Sequence, residues 1–230
     1  MMSPTFTPTT VSTTVTRILG FALIGLLAGC SSGQKSEITT LFNGKNLDGW
    51  VAYTEKGEKV PKSESGFTVC DGELCIEEGP AYWLSTKRTY TDFVLRLEVY
   101  LDRHANSGIF VRAPQPAWPA QQGFEIQVLP DRGVAPDSKG TAGAIFDVLT
   151  PMREMASPPD NWNSVEITCK GSVVIVRWNE FKVIDVDLAE LTEPIGQWNM
   201  AYADKPKRGF IGLQSHGGIV RYRNIRLREL

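Results

Sequence analysis

A period-two alternation of apolar and polar residues limits most strongly how this chain can fold. Over residues 93–101, Phe93, Leu95, Leu97, Val99 and Leu101 fall on one side and Arg96, Glu98 and Tyr100 on the other. Only an extended strand separates the two sets cleanly. Similar stretches occupy 164–169, 172–178, 181–187, 209–215 and 220–228, with Lys170-Gly171 and Asn179-Glu180 read as turns. Helical spacing is confined to a single turn at Leu188 to Leu191. With 21 glycines and 14 prolines as punctuation, short strands at intervals of about ten residues predict an all-β fold, an antiparallel two-sheet jelly-roll sandwich.

The N-terminal segment has a different character. Residues 1–17 are rich in Thr and Ser with one charge, Arg17, and residues 18–29 are uniformly apolar. That run is too short to span a bilayer comfortably and has the length of a signal-peptide core. It ends Leu27-Ala28-Gly29-Cys30, which resembles the bacterial lipobox, in which the cysteine is lipidated and becomes the new N-terminus. The expected organisation is a lipoprotein signal peptide over 1–29, a flexible tether over 30–38 and one domain over 39–230. Cys30 would then anchor the protein to a membrane of the bacterial cell envelope. Ser31 after the cysteine resembles the signal for outer-membrane sorting.

Charge removes one class of partner. The chain has 24 Lys and Arg against 26 Asp and Glu, so it offers no strongly basic surface to neutralise the phosphates of a nucleic acid. An exported protein can keep disulfides. Cys70 and Cys75 flank Asp71-Gly72, a hairpin turn signal. A two-residue turn makes them diagonal neighbours at about 7 Å, long for a bridge, whereas a four-residue loop would oppose them directly. Two histidines and scattered cysteines show no metal-ligand spacing.

Three segments carry polar groups unlike ordinary strand surfaces. Alternation puts Asn106, Gly108, Phe110 and Arg112 on one face, with Ile109 and Val111 opposite. Glu125 and Gln127 share a face, as do Gly212, Gln214 and His216. An antiparallel sheet often has one solvated face, but Arg, Glu, Gln, His and Asn interspersed with Gly suit a hollow lined for a hydroxyl-rich ligand. Glycine on a strand face leaves room for close approach to the backbone. Trp83, Trp118, Trp162 and Trp198 lie near strand ends or turns, and Trp118 is the stacking candidate.

The segments Leu41-Phe42-Asn43-Gly44-Lys45-Asn46-Leu47-Asp48-Gly49-Trp50, Asn106 to Arg112, Phe124 to Leu129, Gly143-Ala144-Ile145-Phe146, Trp162-Asn163, Gly209 to Gly217 and Tyr222-Arg223-Asn224-Ile225 together resemble the 3-keto-disaccharide hydrolase domain family. The resemblance covers about residues 39–230. It implies a sandwich similar to the concanavalin A-like lectin/glucanase fold and a secreted or lipid-anchored protein acting on glycosides. Pro130 stands where members often have Asp, and Asn179-Glu180 replaces the common Asn-Gly turn.

Ordinary glycosidases pair two carboxylates, yet Glu125 is followed by Gln127, an amide. A keto-sugar offers another route. The ketone acidifies the adjacent C–H, a base removes that proton, and the glycosidic oxygen leaves by elimination; water addition then gives net hydrolysis. On this reading Glu125 and His216 are the proton-transfer pair, since a placed acid or base contributes about 10²–10⁴-fold and imidazole titrates near neutrality. Arg112 and Gln127 bind and polarise substrate oxygens. Asn106, Asp147 and Gln214 complete the substrate-binding set. The sequence requires no cofactor and identifies no metal site, though the carboxylates with His216 offer ligands for a divalent ion. The alternative reading is a non-catalytic carbohydrate-binding surface lipoprotein, and a third is a structural envelope protein.

Overall fold

The computed structural model describes residues 1–2, 37–130 and 139–230. The expected lipobox and Cys30 lie outside the described residues. The described residues form fourteen strands: β1 (Ile38–Thr40), β2 (Trp50–Tyr53), β3 (Lys59–Val60), β4 (Phe67–Cys70), β5 (Glu73–Ile76), β6 (Trp83–Thr86), β7 (Phe93–Leu101), β8 (Ser107–Ala113), β9 (Phe124–Val128), β10 (Asn161–Lys170), β11 (Val173–Trp178), β12 (Phe181–Asp187), β13 (Phe210–Gln214) and β14 (Val220–Glu229). The only α-helix among the described residues is the one-turn α1 (Pro119–Gln122), and the turn expected at Leu188 is a short 3-10 helix over Leu188–Glu190.

Among the described residues all strand pairings are antiparallel. The larger sheet runs β12-β11-β10-β7-β14-β5-β4, with β1 also on β14, and the smaller runs β3-β2-β6-β13-β8-β9. This is the two-sheet sandwich that the alternation predicts. The core lies between the sheets. The inward set of β7 meets Ile109, Val111, Phe124, Ile126, Ile211 and Leu213 of the small sheet in one buried cluster. Tyr222 of β14 crosses it: its hydroxyl pairs with Ser107 Oγ at 2.8 Å, and Ser107 Oγ donates to Gln214 O at 2.7 Å. This polar tether joins the layers directly beneath the residues described below.

Turn geometry corrects one expectation and answers one question that the sequence left open. Lys170 pairs with Val173, so the β10–β11 turn is Gly171-Ser172, one residue later than the sequence suggested. Cys70 pairs with Glu73 across a two-residue Asp71-Gly72 turn, and Cys75 is opposite Thr68. The cysteines are thus diagonal, yet their Cα atoms are 6.1 Å apart and they form a disulfide. The right-handed twist of the hairpin shortens one diagonal, which a flat-sheet distance omits. At Asn179-Glu180 both residues take positive φ, 48° and 71°, so the chain makes the tight turn without glycine.

Candidate active site

A second hydrophobic cluster lies on the opposite, outer face of the small sheet. Trp83, Phe110, Ala113 and Ala120 form it, with Tyr53, Tyr82, Trp198 and Phe210 against them. Register explains the arrangement. Gly108 pairs with Gln127, Phe110 with Glu125, Gly212 with Phe110, and Gln214 with Trp83. Side chains at these positions share one face and stand in two rows across four strands. The two glycines make room, though not first of all for a ligand. A Cβ at Gly108 would collide with the Glu125 carboxylate, and one at Gly212 with the Trp83 ring. The small residues let Glu125 and Trp83 lie flat across the neighbouring strand.

These rows floor a cavity of about 550 Å³. Glu125, Gln127, Asn106, Gln214 and His216 all line it. Trp118 and Trp198 are at its wall, Trp118 being 42% exposed with φ 51° and its N–H donating to Glu55 O at 2.8 Å. Trp83, by contrast, is fully buried and donates from Nε1 to Pro116 O at 3.0 Å, and Trp162 belongs to β10 of the other sheet.

Glu125 is 5% exposed, and burial alone pushes its carboxyl up to about 8. Phe146 N donates to Glu125 O at 2.9 Å, which pins the 143–146 segment along the outer edge of β9. An amide relay fixes the histidine. Gln127 Nε2 donates to Asn106 Oδ1 at 3.3 Å and to Ser107 O at 3.1 Å, so the Asn106 amide presents Nδ2 to His216 Nδ1 at 3.1 Å. A donor facing Nδ1 makes that nitrogen the acceptor, and neutral His216 therefore carries its proton on Nε2. Both Gln127 amide protons are used in this relay, so Gln127 positions Asn106 and does not polarise a substrate oxygen. Gln214 Nε2 donates to Tyr82 Oη at 2.8 Å, while Gln214 Oε1 is buried with no hydrogen-bond partner. Because it accepts from Gln214, Tyr82 keeps its own O–H to give. Burial first, and then the Glu125 charge, push that phenol up to about 12.

Two residues expected at the site are elsewhere. Arg112 does not reach the cavity. Between Phe210↔Ala113 and Gly212↔Phe110 the β8–β13 register slips by one residue, and Arg112 has φ 56°. This β-bulge breaks the alternation, so Arg112 follows Val111 inward instead of Phe110 outward. Its guanidinium, 1% exposed, donates to Gly171 O at 2.7 Å and Thr91 O at 2.9 Å, with Asp92 Oδ1 at 3.4 Å. Gly123 and Gly209 flank the bulge, where a Cβ on either would strike its backbone. Asp147 does not line the cavity either. Its Oδ2 accepts from Gln197 N and so holds the turn that carries Gln197 and Trp198 to the wall.

The sequence reading passed over Tyr82, Gln197, Phe146 and Glu55, all of which line the cavity. Glu55, from the β2–β3 turn, is a second carboxylate there. Lys205, buried behind the wall, donates to Gln121 O and lies 4.7 Å over the Tyr202 ring; burial lowers its ammonium to about 8. Among the described residues no three His, Cys, Asp or Glu side chains gather to hold a metal ion.

Known proteins share this fold. A crystal structure of a candidate glycosyl hydrolase from Parabacteroides distasonis superposes with TM-score 0.73 at 27% identity, covering 84% of this chain and 100% of that one. A second from the same organism gives TM-score 0.67 at 22% identity over 84% and 94%. A 3-keto-disaccharide hydrolase of Bacteroides thetaiotaomicron is 25% identical over 83% of this chain and 78% of its own length. The profile of the 3-keto-alpha-glucoside-1,2-lyase-like domain matches residues 37–228, and the chain belongs to that family.

Proposed function

We propose that this protein cleaves 3-keto-glycosides, 3-keto-disaccharides among them, by proton abstraction next to the ketone and elimination of the glycosidic oxygen. The observation that carries the reading is a buried carboxyl, Glu125, in the same cavity as a histidine whose free nitrogen is a donor. As carboxylate, Glu125 takes the proton from C2. The electron pair moves onto the C3 oxygen, where the Tyr82 O–H is the donor for the enolate. The enolate then collapses to a C1=C2 double bond as the C1–O bond breaks; His216 Nε2–H gives its proton to the departing oxygen and recovers one from the newly protonated Glu125, so both groups return to their starting states. Water added across C1=C2 yields the free 3-keto-sugar, a net hydrolysis. A buried carboxylate with no partner is a strong base, and removing a positioned enolate donor costs about 10²–10³ in rate. Gln214 Oε1 needs a donor, which a sugar hydroxyl supplies, and Trp118 and Trp198 offer faces for a ring. The lipobox supports export and anchoring at Cys30 in the cell envelope.

The test is incubation of the purified domain with a 3-keto-disaccharide and its unoxidised parent. We expect release of a monosaccharide from the keto-sugar only, with losses of about 10²-fold or more in Glu125→Gln and His216→Ala. Wild-type rates in both variants would remove these roles. Tight binding of either sugar without product would favour the carbohydrate-binding alternative. Intact-mass analysis of the mature protein should show a lipidated Cys30; an unmodified N-terminus beyond Cys30 would exclude the anchor.

A further inference from the structure

The structure holds a second cavity that the reaction above does not use. It measures about 680 Å³ and meets the first at His216, which lines both. Its walls are the β4–β5 hairpin with its Cys70–Cys75 disulfide, the acidic segment Glu77-Glu78 and the turn Gly217-Gly218. These walls are built firmly. Glu77 N donates to Gly66 O at 2.7 Å, and a Cβ at Gly79 would stand 2.7 Å from Gly66. A Cβ at Gly218 would collide with the Ala105 backbone, and Gly217 O accepts from Asn106 N at 2.9 Å. Asn106 is therefore fixed to the glycine turn by its backbone and to His216 by its side chain. The boundary residue and the second cavity share one support.

We propose that this second cavity is the leaving-group subsite, where the saccharide that departs across His216 is held. The inference rests on the 3-keto-glycoside reading and adds which side of His216 each ring occupies. The keto ring lies with Glu125 and Tyr82 in the first cavity. The departing saccharide lies over Glu77, Glu78 and the bare backbone of Gly217-Gly218, with its linking oxygen at His216. Exposed carboxylates accept bonds from sugar hydroxyls, and a cavity of this size holds a hexose with its water. A methyl or simple alkyl aglycone would leave these groups unused.

The experiment compares a 3-keto-disaccharide with methyl 3-keto-glucoside in the wild type and in the E77A/E78A double variant. Both glutamates are exposed, so the fold is not at stake. Methanol and a sugar hydroxyl differ as leaving groups, so the readout is the variant-to-wild-type ratio for each substrate. We expect kcat/KM for the disaccharide to fall about tenfold, mostly through KM, and that for the methyl glycoside to change less than about twofold. Equal ratios for the two substrates overturn the subsite and leave the reaction standing. If the wild type turns over neither keto-sugar, the reaction fails. The subsite is then judged by calorimetry with unoxidised disaccharide and methyl glucoside: selective loss of disaccharide affinity in the double variant supports it, and unchanged affinity removes it.

Discussion

At the scale of single residues the site is an exercise in desolvation. Glu125 titrates near 8 because burial disfavours its charge and no cation offsets this. A carboxyl raised above its unfolded value binds more protons when folded. Its protonated form adds stability at low pH, and that advantage is lost as pH rises from about 4.5 to about 8. We therefore expect Glu125→Gln to be more stable than wild type at pH 9, by a few kcal/mol, with the difference shrinking below pH 5. Urea melts at the two pH values check this; a difference independent of pH would mean that the carboxyl is not held protonated. Activity should run the other way. If Glu125 is the base, kcat rises with pH through about 8, and the rise disappears in the variant. Tyr82→Phe removes the donated proton and the acceptor of Gln214 Nε2 but leaves the ring stacked on Phe110, so kcat should drop about 10²-fold while the protein still folds. Circular dichroism alongside turnover separates the two effects. Tyr82 was not legible beforehand because it sits outside any alternating strand, in the loop before β6, and nothing local marks it. Gln214 and His216 were legible because strand parity alone aims them.

At the scale of elements, bulges and turns decide what alternation cannot. Arg112 read as a substrate-binding residue because counting by two from Phe110 puts it on the outer face. One extra residue in β8 reverses that. The guanidinium instead ties β8 to Thr91, Asp92 and the Gly171 turn, closing one end of the sandwich. Its removal should act on stability. We expect Arg112→Met to cost about 3–5 kcal/mol by leaving the Thr91 and Gly171 carbonyls without their donor and Asp92 without its cation, with only Gly171 N still donating to it. Folded enzyme at low temperature should retain the wild-type KM. A raised KM without loss of stability in denaturant titration would put Arg112 back in the site. The β4–β5 hairpin makes a related point. Its bridge closes a loop with a sequence separation of 5, short enough that its removal should cost only about 2 kcal/mol. Because that hairpin also walls the second cavity, Cys70→Ser with Cys75→Ser should lower Tm modestly and weaken disaccharide binding more than methyl glycoside binding.

At the scale of the whole molecule, the side chains proposed to do the chemistry share the outer face of the small sheet. The larger sheet carries an arginine-rich outer surface, where Arg223 lies 3.8 Å over Trp162 and bonds Glu98 at 2.7 Å. Such pairs spend their charges on one another. The small sheet instead leaves, among the described residues, the Glu125 carboxyl, the Gln214 amide oxygen and the Tyr82 phenol proton to be paired, the arrangement that a polar ligand completes. The link between the faces runs through Tyr222, Ser107 and Gln214. We expect Tyr222→Phe to cost about 1 kcal/mol, since Ser107 keeps its bond to Gln214. Chemical denaturation measures this directly.

By itself the sequence determined the layers. A period of two can be satisfied only by strands with one buried face, and enough such strands must pack as two sheets. It also determined which side most polar groups take, because parity along a strand is a local property. Only the tertiary structure decided which of those groups meet. The register of β9 and β13 on β8 brings Glu125, Gln127, Gln214 and His216 to one hollow, and loops far apart in the chain add Tyr82, Trp198 and Glu55. A single bulge removes Arg112. Register, bulges and loop contacts are settled by how the sheets twist and pack against each other, and that information is not present in any one segment.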